Sequence, residues 1–251
     1  MKNEIKNFCK KFEEIKELGW IESVNKGRGS VGLTFESLLG VQNNELEIPD
    51  YNGIEIKTKS IRGSFVNKYI TLFNCKPEGS YYHEVERLKD TYGYLHKNLV
   101  DYKVLNDCVY GNRLNKIGSQ FYFKLFVDYK AQKIYLYVYN LNKKLIEKDV
   151  FWDFEELKQK LYRKLQYLAL VKAKTKCSLL TKNEQFNYCN LTIYKLKDFD
   201  AFLNMIERGE IRVTFKLSVW TSGDKFGKIH DHGTGFDIKE ESITGLYEKI
   251  Y

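Results

Sequence analysis

The chain is poor in the residues that divide a polypeptide into modules. It has two prolines, Pro49 and Pro77, with no Ser/Gly-rich linker and no detectable internal repeat. One large domain or two intimately packed lobes is therefore expected in preference to tethered modules. The five cysteines, Cys9, Cys75, Cys108, Cys177 and Cys189, are odd in number, form no CxxC pair and have no His at zinc-ligand spacing. That pattern supports neither a disulfide framework nor a zinc site, and the thiols are expected to be reduced and mostly buried. Long apolar runs are missing too. No stretch approaches the roughly eighteen apolar residues of a membrane span. The N-terminal MKNEIKNFCKKFEEIKELGW alternates charged and apolar residues instead of offering a secretory core, so a cytoplasmic protein is expected. Arginine is scarce as well: Arg28, Arg62, Arg87, Arg113, Arg163, Arg208 and Arg212 are the only ones. Because Arg is the usual bidentate reader of guanine, few residues are candidates for base recognition.

What is present suits a folded, nucleic-acid-facing protein. A chain of 251 residues, 43% hydrophobic and 29% charged, can bury a sizeable core. Forty-one Lys and Arg against thirty-three Asp and Glu leave a net charge of +8, which favours a polyanionic partner, although a basic protein with no such partner has the same balance. Nineteen Tyr and sixteen Phe fill core positions, and Tyr also suits half-wet surfaces where bases are handled.

Periodicity places the elements. Ile5, Phe8, Phe12 and Ile15 recur at helical spacing over 2–18, with Gly19 as the stop. The glycine-punctuated run Lys26 to Gly32 leads into a short helix over 33–40 that Gly40 ends. From Leu46 to Lys59 the period becomes two, with a turn at Asp50-Tyr51-Asn52-Gly53 and a strand from Ile54 to Thr58. Tyr69 to Phe73 is a further strand, and 121–129 with 133–139 forms a second hairpin expected to extend the same sheet. Helical spacing returns over 153–170. A strand over 186–194, a helix over 199–208, a strand over 211–219, a basic turn carrying Lys225 and Lys228, and then His230-Asp231-His232-Gly233-Thr234 complete the chain. Mixed helix and strand throughout means α/β or α+β.

The strongest chemical signal is Pro49-Asp50 followed by Glu55-Ile56-Lys57. On a strand Glu55 and Lys57 share one face while Ile56 points into the core, and Asp50 at the turn can fold back toward them. Two converging carboxylates suit Mg²⁺, and Lys57 can orient the attacking water and offset charge on a phosphate. Glu36, on the preceding helix, is a third acid. Charged alternation on a solvated strand, with Glu36 on a solvated helix face, is the bland alternative.

The block Gly29-Ser30-Val31-Gly32-Leu33-Thr34-Phe35-Glu36-Ser37-Leu38-Leu39-Gly40, with Pro49-Asp50 and Ile54-Glu55-Ile56-Lys57-Thr58, resembles the MutH-like branch of the PD-(D/E)XK nucleases. Thr71-Leu72-Phe73 before Lys76-Pro77, and His230 to Thr234, narrow the resemblance to MvaI/BcnI-type type II restriction endonucleases over nearly the full length. The resemblance implies a mixed sheet flanked by helices, a catalytic lobe drawn approximately at 1–170, which need not be continuous, and a DNA-recognition lobe at 171–251. It implies Glu36, Asp50, Glu55 and Lys57 as the catalytic set, with Asp50 and Glu55 as Mg²⁺ ligands. It also implies a monomer that cuts double-stranded DNA at a short CC-x-GG-like site, one strand at a time, with a cognate methyltransferase in the same system. His230, Asp231 and His232 would reach base edges, with a structural histidine cluster as the alternative. Relatives carry Arg before and after this motif where this chain has Lys216 and Asp237. Arg208 and Arg212 are nearby substitutes, and Lys225 and Lys228 are further DNA contacts. A mismatch-repair nickase and a DNA-binding module with a decayed centre are the rival readings; the full set of four residues and the late His-Asp-His motif count against them.

Overall fold

The computed structural model describes residues 1–27, 29–41, 48–61, 68–178 and 183–251, the side chain of Val100 excepted. Arg28, Arg62 and the start of the period-two segment at Leu46 and Glu47 lie outside the described residues. The chain gathers into two compact units. One comprises residues 1–68, 160–197 and 247–251, and the other 69–159 and 198–246. The chain thus leaves the first unit and returns to it twice.

In the first unit the helix Lys2–Glu17 buries Phe8, Phe12 and Ile15, the stripe its spacing predicts. These three side chains, each contributing about 1.5–3 kcal/mol by burial, pack with Phe35, Ile54 and Ile56 against the sheet residues Ala169, Val171 and Ala173. The sheet runs in the order Ile21–Glu22, Glu184–Leu196, Tyr167–Cys177, Glu55–Ile61, with Tyr247–Lys249 also paired to Glu184–Leu196. Glu55–Ile61 and Tyr167–Cys177 are parallel, with Glu55 beside Leu168 and Lys57 beside Leu170. Leu168, Ala169, Leu170 and Val171 are all buried, as a strand covered on both faces requires. The expected helix over 153–170 is corrected here: it covers Phe154–Lys164 and gives way to the strand at Tyr167. Leu161, Leu165 and Leu168 satisfy helical spacing, but the run Leu168 to Val171 is continuously apolar, which suits a buried strand equally well.

The second unit holds two four-stranded sheets. One orders Leu145–Asp153, Lys133–Asn140, Phe121–Asp128 and Asn115–Ile117; the other orders Tyr69–Asn74, Gly235–Lys239, Ile211–Thr214 and Cys108–Val109. The hairpin over 121–140 therefore does not extend the sheet of Glu55, contrary to the sequence expectation. Alternation reports which face a strand buries, not which sheet it joins. Here Trp152, fully buried, donates its indole N–H to the Cys75 carbonyl at 3.0 Å and meets Phe236 edge to face at 5.7 Å. The single strand expected over 211–219 is split into Ile211–Thr214 and Leu217–Val219, because Phe215 bonds the Asp107 carbonyl and Leu217 pairs with Leu105. The expectation of mostly buried thiols is corrected: only Cys75 is buried, Cys177 is exposed and the other three are half-buried. Among the described residues no helix is long and apolar enough to cross a membrane.

Candidate active site

Local sequence sets the position of each acid. Asn52 and Gly53 both have positive φ, at 42° and 87°, and Tyr51 and Ile54 exchange backbone hydrogen bonds at 3.0 and 2.8 Å. This is the two-residue Asn-Gly hairpin whose twist suits adjoining strands. It turns Asp50 back so that its Oδ2 accepts the Ile56 N–H at 2.8 Å, which orients the carboxylate beside the strand that carries Glu55 and Lys57. Ile56 is buried in the core, while Lys57 Nζ donates to Glu55 Oε1 at 2.8 Å. The same-face relation read from the spacing is thus realised.

Glu36 arrives on the helix Ser30–Leu39, which starts three residues earlier than its apolar pattern suggests. Three contacts fix this helix to the sheet: Tyr188 donates to the Val31 carbonyl at 2.8 Å, Ser30 donates to Glu184 at 3.0 Å, and Phe35 lies 4.9 Å from the Tyr188 ring. Gly32 permits the close approach to the strand Glu55–Ile61. A Cβ there would stand 3.1 Å from Thr58 Oγ1 and 3.5 Å from Glu36 Oε1.

The electrostatics show that these groups sense one another. Burial raises the Glu36 pKa and Asp50 adds to the rise, while Lys57 and Lys164 oppose it. Burial also raises that of Glu55, with Lys57 and Lys164 opposing and Asp50 reinforcing. Glu55 is only 1% exposed, and its Oε2 is buried without a hydrogen-bond partner. Such an orphaned carboxylate oxygen is costly in the absence of a ligand. Among the described residues no group of three or more His, Cys, Asp and Glu side chains is gathered tightly enough to cage a metal ion. What the centre offers a cation is the Asp50 and Glu55 carboxylates, whose hard oxygens and unmet Glu55 Oε2 fit a magnesium-like ion that keeps most of its waters.

Two residues at this centre were not singled out from sequence. Lys164, the last residue of its helix, places Nζ 3.5 Å from Glu55 Oε1 and so gives that oxygen a second ammonium neighbour. Tyr247, fully buried with its hydroxyl unpartnered, has its pKa raised by burial and then by the charge of Glu55. Neither stands near the Asp-Glu-x-Lys motif in the sequence, so only the fold could reveal them.

The residues expected to contact DNA lie in the second unit, and only some come together. Lys216, Lys225, Lys228, His230 and His232 belong to or adjoin the hairpin Leu217–Val219/Ile229–Asp231. The His230 and His232 rings lie 3.9 Å apart. Burial, His232 and Lys225 lower the pKa of His230. Asp231 accepts from Lys76 at 2.9 Å and from the Gly233 N–H at 2.7 Å, so its carboxylate is already engaged. Arg208 pairs with Glu210 at 2.9 Å. Arg212 stacks over the Tyr69 ring at 3.4 Å, donates to the Tyr110 hydroxyl at 3.0 Å and lies 3.6 Å from Asp237. Asp237 itself is 4% exposed and accepts from Thr71 and Thr214 at 2.7 and 2.6 Å.

Comparison with known proteins places the chain among restriction endonucleases. A structure titled as the restriction endonuclease MvaI in complex with cognate DNA is 28% identical, covers 99% of this chain and 98% of its own, and superposes with a TM-score of 0.88. MvaI in the absence of DNA, also 28% identical over 99% of this chain and 97% of its own, gives 0.62. A search of curated protein sequences finds no match. The family model of the MvaI/BcnI restriction endonucleases matches residues 9–247, and the chain, a type II site-specific endonuclease, belongs to that family.

Proposed function

We propose that this enzyme hydrolyses phosphodiester bonds of double-stranded DNA at a short pseudo-palindromic site of the CC-x-GG kind, with Mg²⁺ held by Asp50 and Glu55. The observation that carries the reading is the buried Glu55 carboxylate, one oxygen bonded to Lys57 and the other unmet, beside an Asp50 that the Ile56 N–H orients. Asp50 and Glu55 would hold the cation, which would supply Lewis-acid chemistry to the scissile phosphate and the attacking water. The chain's own residues do the rest. Lys57, with its side chain 26% exposed, has its ammonium positioned to orient the water and to offset the charge that builds on the phosphate. Lys164 adds a second positive charge against the same carboxylate. Glu36, shifted upward by burial, orients the water from the helix side.

Site choice belongs to the second unit. Lys216, Lys225, Lys228, His230 and His232 face the duplex, with Asp231 shaping the turn that follows them. Arg208 and Arg212 are assigned to phosphates, since both guanidinium groups already have acidic or aromatic partners. The protein acts as a monomer, one strand at a time, and a cognate methyltransferase protects the host's own sites.

The test is Lys57→Ala, assayed for duplex binding and for single-turnover cleavage on one substrate. Cleavage should fall by about 100-fold or more while affinity stays within about threefold, because the ammonium acts on the transition state. Cleavage at the wild-type rate would remove Lys57 from the mechanism.

A further inference from the structure

The hairpin that carries His230 has two unlike faces. Leu217 and Val219 are buried on one of them, and the register places Asp231 opposite Leu217 on that same face. Strand alternation puts Lys216, Ser218 and Trp220 on the other face, across from His232, His230 and Lys228. No carboxylate of these two runs stands on that second face. A two-stranded ribbon with a basic, aromatic face is a shape that the DNA major groove admits.

Within this face two rings stack and a third leans on them. Trp220 lies 3.8 Å from His230, centroid to centroid, with the planes 13° apart. The His232 ring lies 3.9 Å from His230 with its plane tilted by 47°, and Lys225 Nζ lies 5.4 Å over the Trp220 ring. The stack is anchored from behind. The Trp220 backbone N–H donates to the Lys228 carbonyl and its backbone carbonyl accepts from the Gly227 N–H, both at 2.9 Å. Phe226 packs edge to face on Tyr102 at 6.0 Å, and a Cβ on Gly227, whose φ is +74°, would collide with the Tyr102 hydroxyl. The loop therefore returns to the ribbon along a fixed path.

An imidazole reads a base through the ring nitrogens at its edge, so the plane of the ring decides which hydrogen bonds it can make. We infer that Trp220 is a positioning residue for sequence recognition: by stacking on His230 it fixes the plane of that imidazole, so that one edge is presented to one base. The inference rests on the proposed base-reading role of His230. The lowered pKa of His230 fits it, since a neutral imidazole offers one donor and one acceptor in place of two donors.

The experiment compares Trp220→Ala and Trp220→Phe with the wild type. Single-turnover cleavage is measured on the preferred duplex and on duplexes that differ from it by one base pair, with His230→Ala and the Trp220→Ala/His230→Ala double variant alongside. Trp220→Ala should lower the ratio between preferred and altered sites by about tenfold, the size of one good base contact. Its maximal rate on the preferred duplex should stay within about threefold, since the active site is untouched. Trp220→Phe should restore most of the ratio, and the double variant should lose no more than His230→Ala alone. An unchanged ratio in Trp220→Ala, or equal losses on every duplex, would overturn the inference. A wild-type enzyme that cleaves no DNA, or all duplexes equally, would instead overturn the proposed function.

Discussion

At the scale of single residues, Asp50 is the most informative position, because the proposed function asks its carboxylate to serve a backbone partner and a cation together. Oδ2 takes the Ile56 N–H at 2.8 Å. Asp50→Asn keeps an acceptor for Ile56 but loses the charge. The variant should fold as the wild type does, cleave at least about 100-fold more slowly at limiting Mg²⁺, and recover in part as Mg²⁺ is raised. Normal cleavage at limiting Mg²⁺ would show that Asp50 is not a ligand. Glu36, Asp50, Glu55 and Lys57 were legible in the sequence because a hairpin and one short helix bring them together. Lys164 was not, because it reaches Glu55 only through the pairing of Tyr167–Cys177 with Glu55–Ile61. Trp220 was equally hidden, since its stack on His230 depends on the register of a hairpin that begins with a buried Leu217.

At the scale of elements, the packing of the helix Ser30–Leu39 on the strand Glu55–Ile61 turns on Gly32. Gly32→Val would press a branched side chain toward Thr58 Oγ1, already 3.1 Å from the position of a single Cβ. The change should lower stability by about 1–3 kcal/mol and displace Glu36 as well, so that activity falls by more than the unfolded fraction explains. A denaturation midpoint and a cleavage rate measured on the same preparation would separate the two effects; unchanged values for both would mean that the helix has slack. Helices were legible: Lys2–Glu17 buries the residues its period predicts, and the helix expected over 199–208 covers Phe199–Glu207. Sheet membership was not. The strands Glu55–Ile61 and Phe121–Asp128 both alternate, yet they belong to different sheets, because pairing is decided by partners far away in the sequence. Helical spacing failed at Leu165 to Leu168 for a related reason: a central strand covered on both faces has no polar side to give it away.

At the scale of the whole molecule, a net charge of +8 and a lysine-rich composition support affinity for DNA that is mainly electrostatic. If six to ten phosphates are contacted, binding should weaken by roughly 10³–10⁵ between 50 and 200 mM salt. Titration of a labelled duplex at several salt concentrations gives this slope, and a flat response would refute phosphate-driven binding. Family membership, a pair of carboxylates with an unmet buried oxygen, and a ribbon with one basic aromatic face all converge on metal-dependent, sequence-specific cleavage. The most direct measurement is incubation of the purified protein with an unmethylated plasmid of known sequence, in Mg²⁺ or in EDTA, followed by sequencing of the fragment ends. The account predicts discrete ends at one recurrent short site with Mg²⁺ and an intact plasmid with EDTA. Ends scattered without a shared sequence, or a plasmid that survives in Mg²⁺, would contradict it.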